Sequence, residues 1–195
     1  MAKASTPSRE RIVAGAADLI SRRGLNAASI RELAKHAHAP LGSTYHYFPG
    51  GKRQVATEAV EFAGEAVSRR LRKELVEGPV EGLRAFLGLW RGIVVDSDFR
   101  AGCPVLAVSV EEPPEGEETP ELAAAAKAFA EWQALLADSL LAHGVDAETA
   151  ADLAVLIVAS VEGATAMCRA ARSELPLDRV ERQLEAAILR VLPSA

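Results

Sequence analysis

Along this chain the apolar residues recur at helical spacing, and nowhere do they alternate for the length of a strand. That periodicity restricts the fold to helices packed on helices. Residues 8–23 set Ile12, Val13, Ala16, Leu19 and Ile20 on one face, with Thr6-Pro7-Ser8 as the start and Gly24 as the stop. Residues 80–96 set out Leu83, Phe86, Leu87, Trp90 and Val94, and residues 178–192 set out Val180, Leu184, Ala187, Ile188 and Val191. Further helices are predicted over 52–77, 120–143 and 147–173, with a short apolar segment at 105–110. The stretch Glu111 to Glu121 is rich in glutamate and proline and reads as a solvated loop. An aromatic content of 5% with abundant alanine suits close helix contact better than a β-sandwich.

The same residues limit where the chain works. Its longest bulky apolar run, Leu153 to Val161, is far shorter than the ~20 residues of a membrane span. Met1 to Glu10 is polar and lacks the apolar centre of a secretory signal. Cys103 and Cys168 give neither a disulfide framework nor a metal-ligand spacing. The expectation is a soluble, cytoplasmic, all-α protein with no cofactor and no membrane partner.

Charge divides the 195 residues. Residues 1–53 carry a formal +6 and residues 54–195 carry −11, within a total of −5. A basic head on an acidic body implies that the head meets a polyanion. Domains are therefore expected at 1–53 and 54–195, the second beginning in the linking helix 52–77.

The head has the parts for such a meeting. Ser29-Ile30-Arg31-Glu32 is an S-x-x-E capping box that opens a second short helix burying Ile30, Leu33 and Ala34. After a tight link at Ala37 to Pro40 comes Leu41-Gly42-Ser43-Thr44-Tyr45-His46-Tyr47-Phe48. Two short helices joined by such a turn form a helix-turn-helix. A helix entering a major groove about 12 Å wide needs small or polar residues at its N-terminal end. Leu41, Gly42 and Ser43 meet that need. Tyr45, His46 and Tyr47 offer polar tips to phosphate oxygens, or else pack the small domain, while Phe48 suits a core plug. Lys52 adds a charge at a helix N-terminus. Arg9, Arg11 and Lys3 either reach DNA or form a solvated face.

Enzyme chemistry finds no support. His36, His38, His46 and His143 have no carboxylate or cysteine at ligand or triad spacing, and there is no phosphate-binding glycine loop or nucleophile elbow. A helical adaptor that binds only protein is the alternative, and the basic head argues against it.

The runs Ser29-Ile30-Arg31-Glu32-Leu33-Ala34 and Gly42-Ser43-Thr44-Tyr45-His46-Tyr47-Phe48, with Lys52, resemble the N-terminal domain of TetR-type transcriptional regulators over about residues 8–68. Phe48-Pro49-Gly50-Gly51-Lys52 and Ala101-Gly102-Cys103-Pro104-Val105-Leu106-Ala107-Val108 are similar to the LmrA/YxaF-like branch. The resemblance implies a DNA-binding regulator, most simply a repressor released from a palindromic operator by a small, largely apolar effector. It adds Ser29 and Arg31 to the DNA-contact candidates. Three positions depart from the common pattern. His38 stands where the turn usually has glycine, Pro40 replaces a Ser/Thr cap, and Thr44 replaces an aliphatic residue and is expected to weaken a core contact.

The resemblance also implies a C-terminal domain that binds ligand and dimerises through its last two helices. Residues 153–168 are apolar nearly all round, which calls for cover on all sides. Leu153, Leu156, Ile157, Val161 and Ala164, with Val180, Leu184 and Ile188, are the expected interface of a homodimer. Bulky or distinctive residues that can line a pocket are Phe62, Phe86, Trp90, Leu106 and Phe129, followed by Trp132 and Met167. Cys103 is a further candidate, and Glu162, set among apolar residues, faces either a cationic ligand or solvent.

Overall fold

The structure is a computed structural model that describes residues 9–112 and 119–193. Lys3, the Thr6-Pro7-Ser8 start and the middle of the acidic loop lie outside the described residues. Among the described residues nine α-helices follow one another: α1 (Arg9–Arg23), α2 (Ile30–His36), α3 (Leu41–Tyr47), α4 (Gly51–Glu74), α5 (Pro79–Asp96), α6 (Pro104–Ser109), α7 (Pro120–Ala142), α8 (Ala147–Ala171) and α9 (Leu175–Val191). No strand occurs among the described residues. Most boundaries fall within a residue or two of those expected. The end of the predicted helix 52–77 tightens into a 3-10 turn at Leu75–Glu77, and α9 starts earlier than expected, with Pro176 inside its first turn.

The chain divides into two compact units, Met1–Gly64 with Pro104–Ala126 and Glu65–Cys103 with Lys127–Ala195. The head unit thus reaches beyond residue 53 and takes in α6 from the acidic part of the sequence. Within it α1 packs on α2 and α6, and α2 on α3. Ile12, Ala16, Ile20, Leu33 and Phe48 form its solvent-free centre. Gly15 permits the close approach of α1 to the α2–α3 turn, where a Cβ would lie 2.8 Å from that of Ala37. His38 occupies the left-handed region at φ 51°, a conformation histidine tolerates better than most non-glycine residues. Pro40 caps α3 with extended backbone and no side-chain bond.

Thr44 corrects the expectation of a weakened contact. It is fully buried, and its hydroxyl donates to the Pro40 carbonyl at 3.2 Å, one turn back. The polar atom is satisfied inside the helix, leaving the methyl group for the core.

In the second unit α5, α8 and α9 pack on one another. Arg91 of α5 holds α9 through Glu174, Asp178 and Glu181 at 2.6–3.1 Å. Asp146 caps α8 by accepting from the Thr149 N–H at 3.0 Å. Taken whole, α8 is a 25-residue helix apolar enough by composition to cross a membrane, which the nine-residue run had understated. Half of its most apolar window is nevertheless buried within the protein.

Candidate nucleic-acid interface and the core of the second unit

The recognition segment is built from local rules. The Ser29 side chain accepts from the Glu32 N–H at 3.2 Å, and the Glu32 carboxylate accepts from the Ser29 N–H at 2.8 Å, so the capping box forms as expected. The Ser29 N–H also holds the Glu32 carboxyl below its ordinary value. On α3 the fully buried Phe48 anchors the end, its ring beneath the Arg9 guanidinium at 5.1 Å. With Thr44 and Phe48 facing inward, the helix turns its other residues outward. Ser29, Arg31, Gly42, Tyr45 and His46 are exposed, and Leu41, Ser43, Tyr47 and Lys52 are partly so. A Cβ on Gly42 would meet nothing within 4 Å, so the fold itself does not demand glycine there. Arg9 is held by Glu58 at 2.5 Å, which ties it to α4.

One element of the head was not legible in the sequence. Glu111, just past α6, accepts from the backbone N–H of Leu25 at 2.6 Å and of Asn26 at 2.7 Å. A carboxylate taking two adjacent amide donors is a strong clamp, and here it fixes the turn between α1 and α2. Gly24, at φ +77°, leaves room for it, since a Cβ there would collide with the Glu111 carboxylate. The expected solvated loop therefore begins with a residue bound to the head. In the sequence Gly24 marks only a helix stop, and no local pattern links it to a residue 87 positions away.

The interior of the second unit gathers some of the proposed pocket residues and separates others. Phe86, Trp90, Phe129 and Trp132 form one ring group, with centroid separations of 5.4–6.2 Å and mostly edge-to-face geometry. Both indoles are buried. Glu162 is only 3% exposed, and neither of its oxygens accepts from an N–H or O–H group. Burial pushes its carboxyl up to about 8, with partial relief from the Cys103 thiol, so it faces neither solvent nor a basic side chain. Cys103 is itself buried. Phe62 does not join this group. It lies in the head unit beside an open groove with Arg9, Glu10 and Glu58. Leu106 also belongs to the head unit, on α6. Met167 points outward at 61% exposure.

The expected dimer residues lie mostly inside the chain itself. Leu153, Ile157, Val161 and Ala164 of α8, with Leu184 and Ile188 of α9, are buried within the chain's own core. Of the set, only Leu156 is exposed and Val180 partly so. The face of α8 left open carries Val155, Leu156, Ala159, Gly163, Met167 and Ala170 at helical spacing. The sequence showed apolar residues all round, and it offered no means of deciding which side the chain itself would cover.

A helix-turn-helix whose second helix presents small and polar residues to solvent, within a basic stretch of chain, defines a DNA-binding protein of the transcription-regulator class. Residues 12–59 match the family of bacterial regulatory proteins, tetR family, and residues 79–183 match the transcriptional regulator LmrA/YxaF-like C-terminal domain. An uncharacterized HTH-type transcriptional regulator of Mycobacterium tuberculosis is 43% identical over 188 residues, or 95% of this chain and 96% of that protein. Among solved structures, a TetR transcriptional regulator from Legionella pneumophila aligns with a TM-score of 0.83 at 21% identity, covering 94% of this chain and 98% of that one. A cysteine mutant of the TetR family regulator CifR, complexed with 26bp double-strand operator DNA, aligns at 0.71 and 22% identity, covering 98% and 100%. The chain belongs to the TetR family of DNA-binding transcriptional regulators, with a C-terminal domain of the LmrA/YxaF-like type. Members of that family are regulators, not enzymes.

Proposed function

We propose that the protein is a homodimeric repressor that holds a palindromic operator and releases it when a small, largely apolar effector enters the second unit. The observation that carries this reading is the combination of an outward-facing α3 with an uncovered apolar face on α8. Leu41, Gly42 and Ser43 read base edges, while Ser29, Arg31, Tyr45, His46, Tyr47 and Lys52 position the head on phosphates. Gly42 is open to solvent without being needed by the fold, which fits a backbone that approaches DNA closely. A second copy covers Val155, Leu156, Ala159, Gly163 and Met167, the small residues letting the paired helices come close. Two-fold symmetry then places two heads about one helical turn (~34–36 Å) apart on DNA. Such a protein acts in the cytoplasm, where its DNA is.

The effector acts by binding one conformation of the second unit better than another. From Cys103, beside Glu162, the chain runs directly through α6 to Glu111 and its clamp on Leu25 and Asn26. A displacement at Cys103 is thereby delivered to the turn that orients α2.

Selection of genomic DNA fragments by the purified protein, at two salt concentrations, tests the reading. Recovery of an inverted repeat is expected, with affinity falling with salt by a log–log slope of about −0.9 per phosphate neutralised. Weak binding with no shared sequence would overturn it in favour of a protein-binding adaptor.

A further inference from the structure

Among the buried polar groups of the second unit, Glu162 has only the Cys103 thiol as a partner and the Trp90 indole has none. Both oxygens of Glu162 lack an N–H or O–H donor, and the Trp90 Nε1–H lacks an acceptor. They stand on α8 and α5, helices that pack on each other. Buried polar atoms are normally satisfied, so an acceptor met only by a weak thiol donor and an unmatched N–H donor in one core point to a third body that supplies both. The neighbouring Thr165 hydroxyl on α8 cannot donate to Glu162, because it already donates to the Val161 carbonyl at 2.8 Å. Trp90 belongs to the ring group with Phe86, Phe129 and Trp132, so the same core also offers aromatic faces and edges.

We infer that the effector is a ring-bearing compound with a protonated amine: its ammonium pairs with Glu162, its ring enters the Phe86–Trp90–Phe129–Trp132 group, and a polar atom on it accepts from Trp90. The inference rests on the effector-responsive reading above and names the chemistry of that site. An ammonium brings three N–H donors to a carboxylate that otherwise meets only a thiol. It also restores the ionised form of a carboxyl that burial alone keeps protonated to about pH 8. Aromatic faces attract the same charge. A neutral hydroxyl can serve only one oxygen and gains nothing from the rings beyond contact. An anion would meet an uncompensated acid.

The chain has two tryptophans, Trp90 and Trp132, and both lie in the ring group, so intrinsic emission reports the site without a label. The probes are 4-phenylbutylamine, 4-phenylbutan-1-ol and 4-phenylbutyrate, which share a ring and a chain and differ in charge. Titrated into the full-length protein at pH 7, the amine should perturb the emission at a concentration at least tenfold lower than the alcohol, with the acid weakest. In Glu162→Gln the advantage of amine over alcohol should disappear. In Trp90→Phe, which keeps the ring and loses the donor, the advantage should persist, with Trp132 as reporter. An alcohol that binds as well as the amine, an advantage retained in Glu162→Gln, or no perturbation by any probe up to millimolar concentration would overturn the inference. Release of operator DNA is measured separately on the unaltered protein. Amine binding that leaves the DNA complex intact would sink the repressor reading and spare the site, whereas release by the alcohol alone would do the reverse.

Discussion

The three short helices α1–α3 and the second unit treat their buried polar groups in opposite ways. In the three-helix head, Ser21 and Thr44 are buried, and each donates to a carbonyl one turn back, at 2.8 and 3.2 Å. Its exposed turn is held by carboxylates from Glu32 and Glu111, both on backbone amides. In the second unit Trp90 and the Ser68 and Ser139 hydroxyls are buried and unmatched, and Glu162 meets only the Cys103 thiol. The three helices α1–α3, whose buried hydroxyls are met locally, have one preferred shape, which suits a surface that must fit a groove; outside them, Glu121 of the head unit leaves one buried oxygen unmatched. A region with unmet polar groups is less stable than its apolar area implies, and a partner that meets those groups is rewarded. Rigid reader and receptive core are two uses of one rule.

The first way to break the contrast is to loosen the head. Phe48→Ala removes a fully buried ring and the Arg9 contact above it, and should destabilise by about 3–5 kcal/mol. Thermal unfolding checks the loss, and operator affinity should disappear with it while the far-ultraviolet helix signal of α5, α8 and α9 persists. A variant that keeps full DNA affinity would show that the head is not the rigid element.

The second change acts on the other region. The Glu162 carboxyl in the folded protein titrates at about 8 against an ordinary 4.5, so the folded state holds its proton more tightly than the unfolded chain does. Stability is therefore undiminished below about 4.5, falls as pH rises between the two values, and carries the whole penalty above 8. Glu162→Gln should match the unaltered protein near pH 4.5 and exceed it by a few kcal/mol at pH 9. Denaturant melts at the two pH values supply the measurement, and an equal difference at both would show that the carboxyl titrates normally.

How much of this was readable from sequence follows the range of the interactions. The capping box at Ser29 and Glu32, the stop at Gly24 and the stripe from Leu83 to Val94 are local patterns, and each appears where periodicity and capping put it. The ring group was legible residue by residue but not as a group, because Trp90 and Trp132 meet only through the tertiary fold. Glu162 was visible as a charge among apolar neighbours, yet its side was not, since a helix apolar all round has no marked face. The same ambiguity turned the expected dimer residues inward. Glu111 was illegible because its meaning depends on two amides far off in the sequence.

That clamp gives the third prediction. Glu111→Gln keeps one acceptor and places an NH2 group against the other amide, so it should cost about 1–3 kcal/mol. If the head is coupled through α6, the variant should also need more effector to release DNA than the unaltered protein, because the displacement no longer reaches the α1–α2 turn. Unchanged effector response alongside lowered stability would confine Glu111 to a structural role.

The smallest effect separates two roles carried by one residue. Ser29 caps α2 and is also placed among the phosphate contacts. Ser29→Ala removes both and should lower stability by about 1 kcal/mol. Ser29→Asp restores a good cap, since aspartate serves that position as well as serine does, but it sets a negative charge where a phosphate would sit. The melting temperature of Ser29→Asp should therefore return most of the way to that of the unaltered protein, while its operator affinity falls below even that of Ser29→Ala. Should both variants bind DNA in proportion to their stability alone, Ser29 is a cap and nothing more, and the phosphate contacts of the head begin at Arg31.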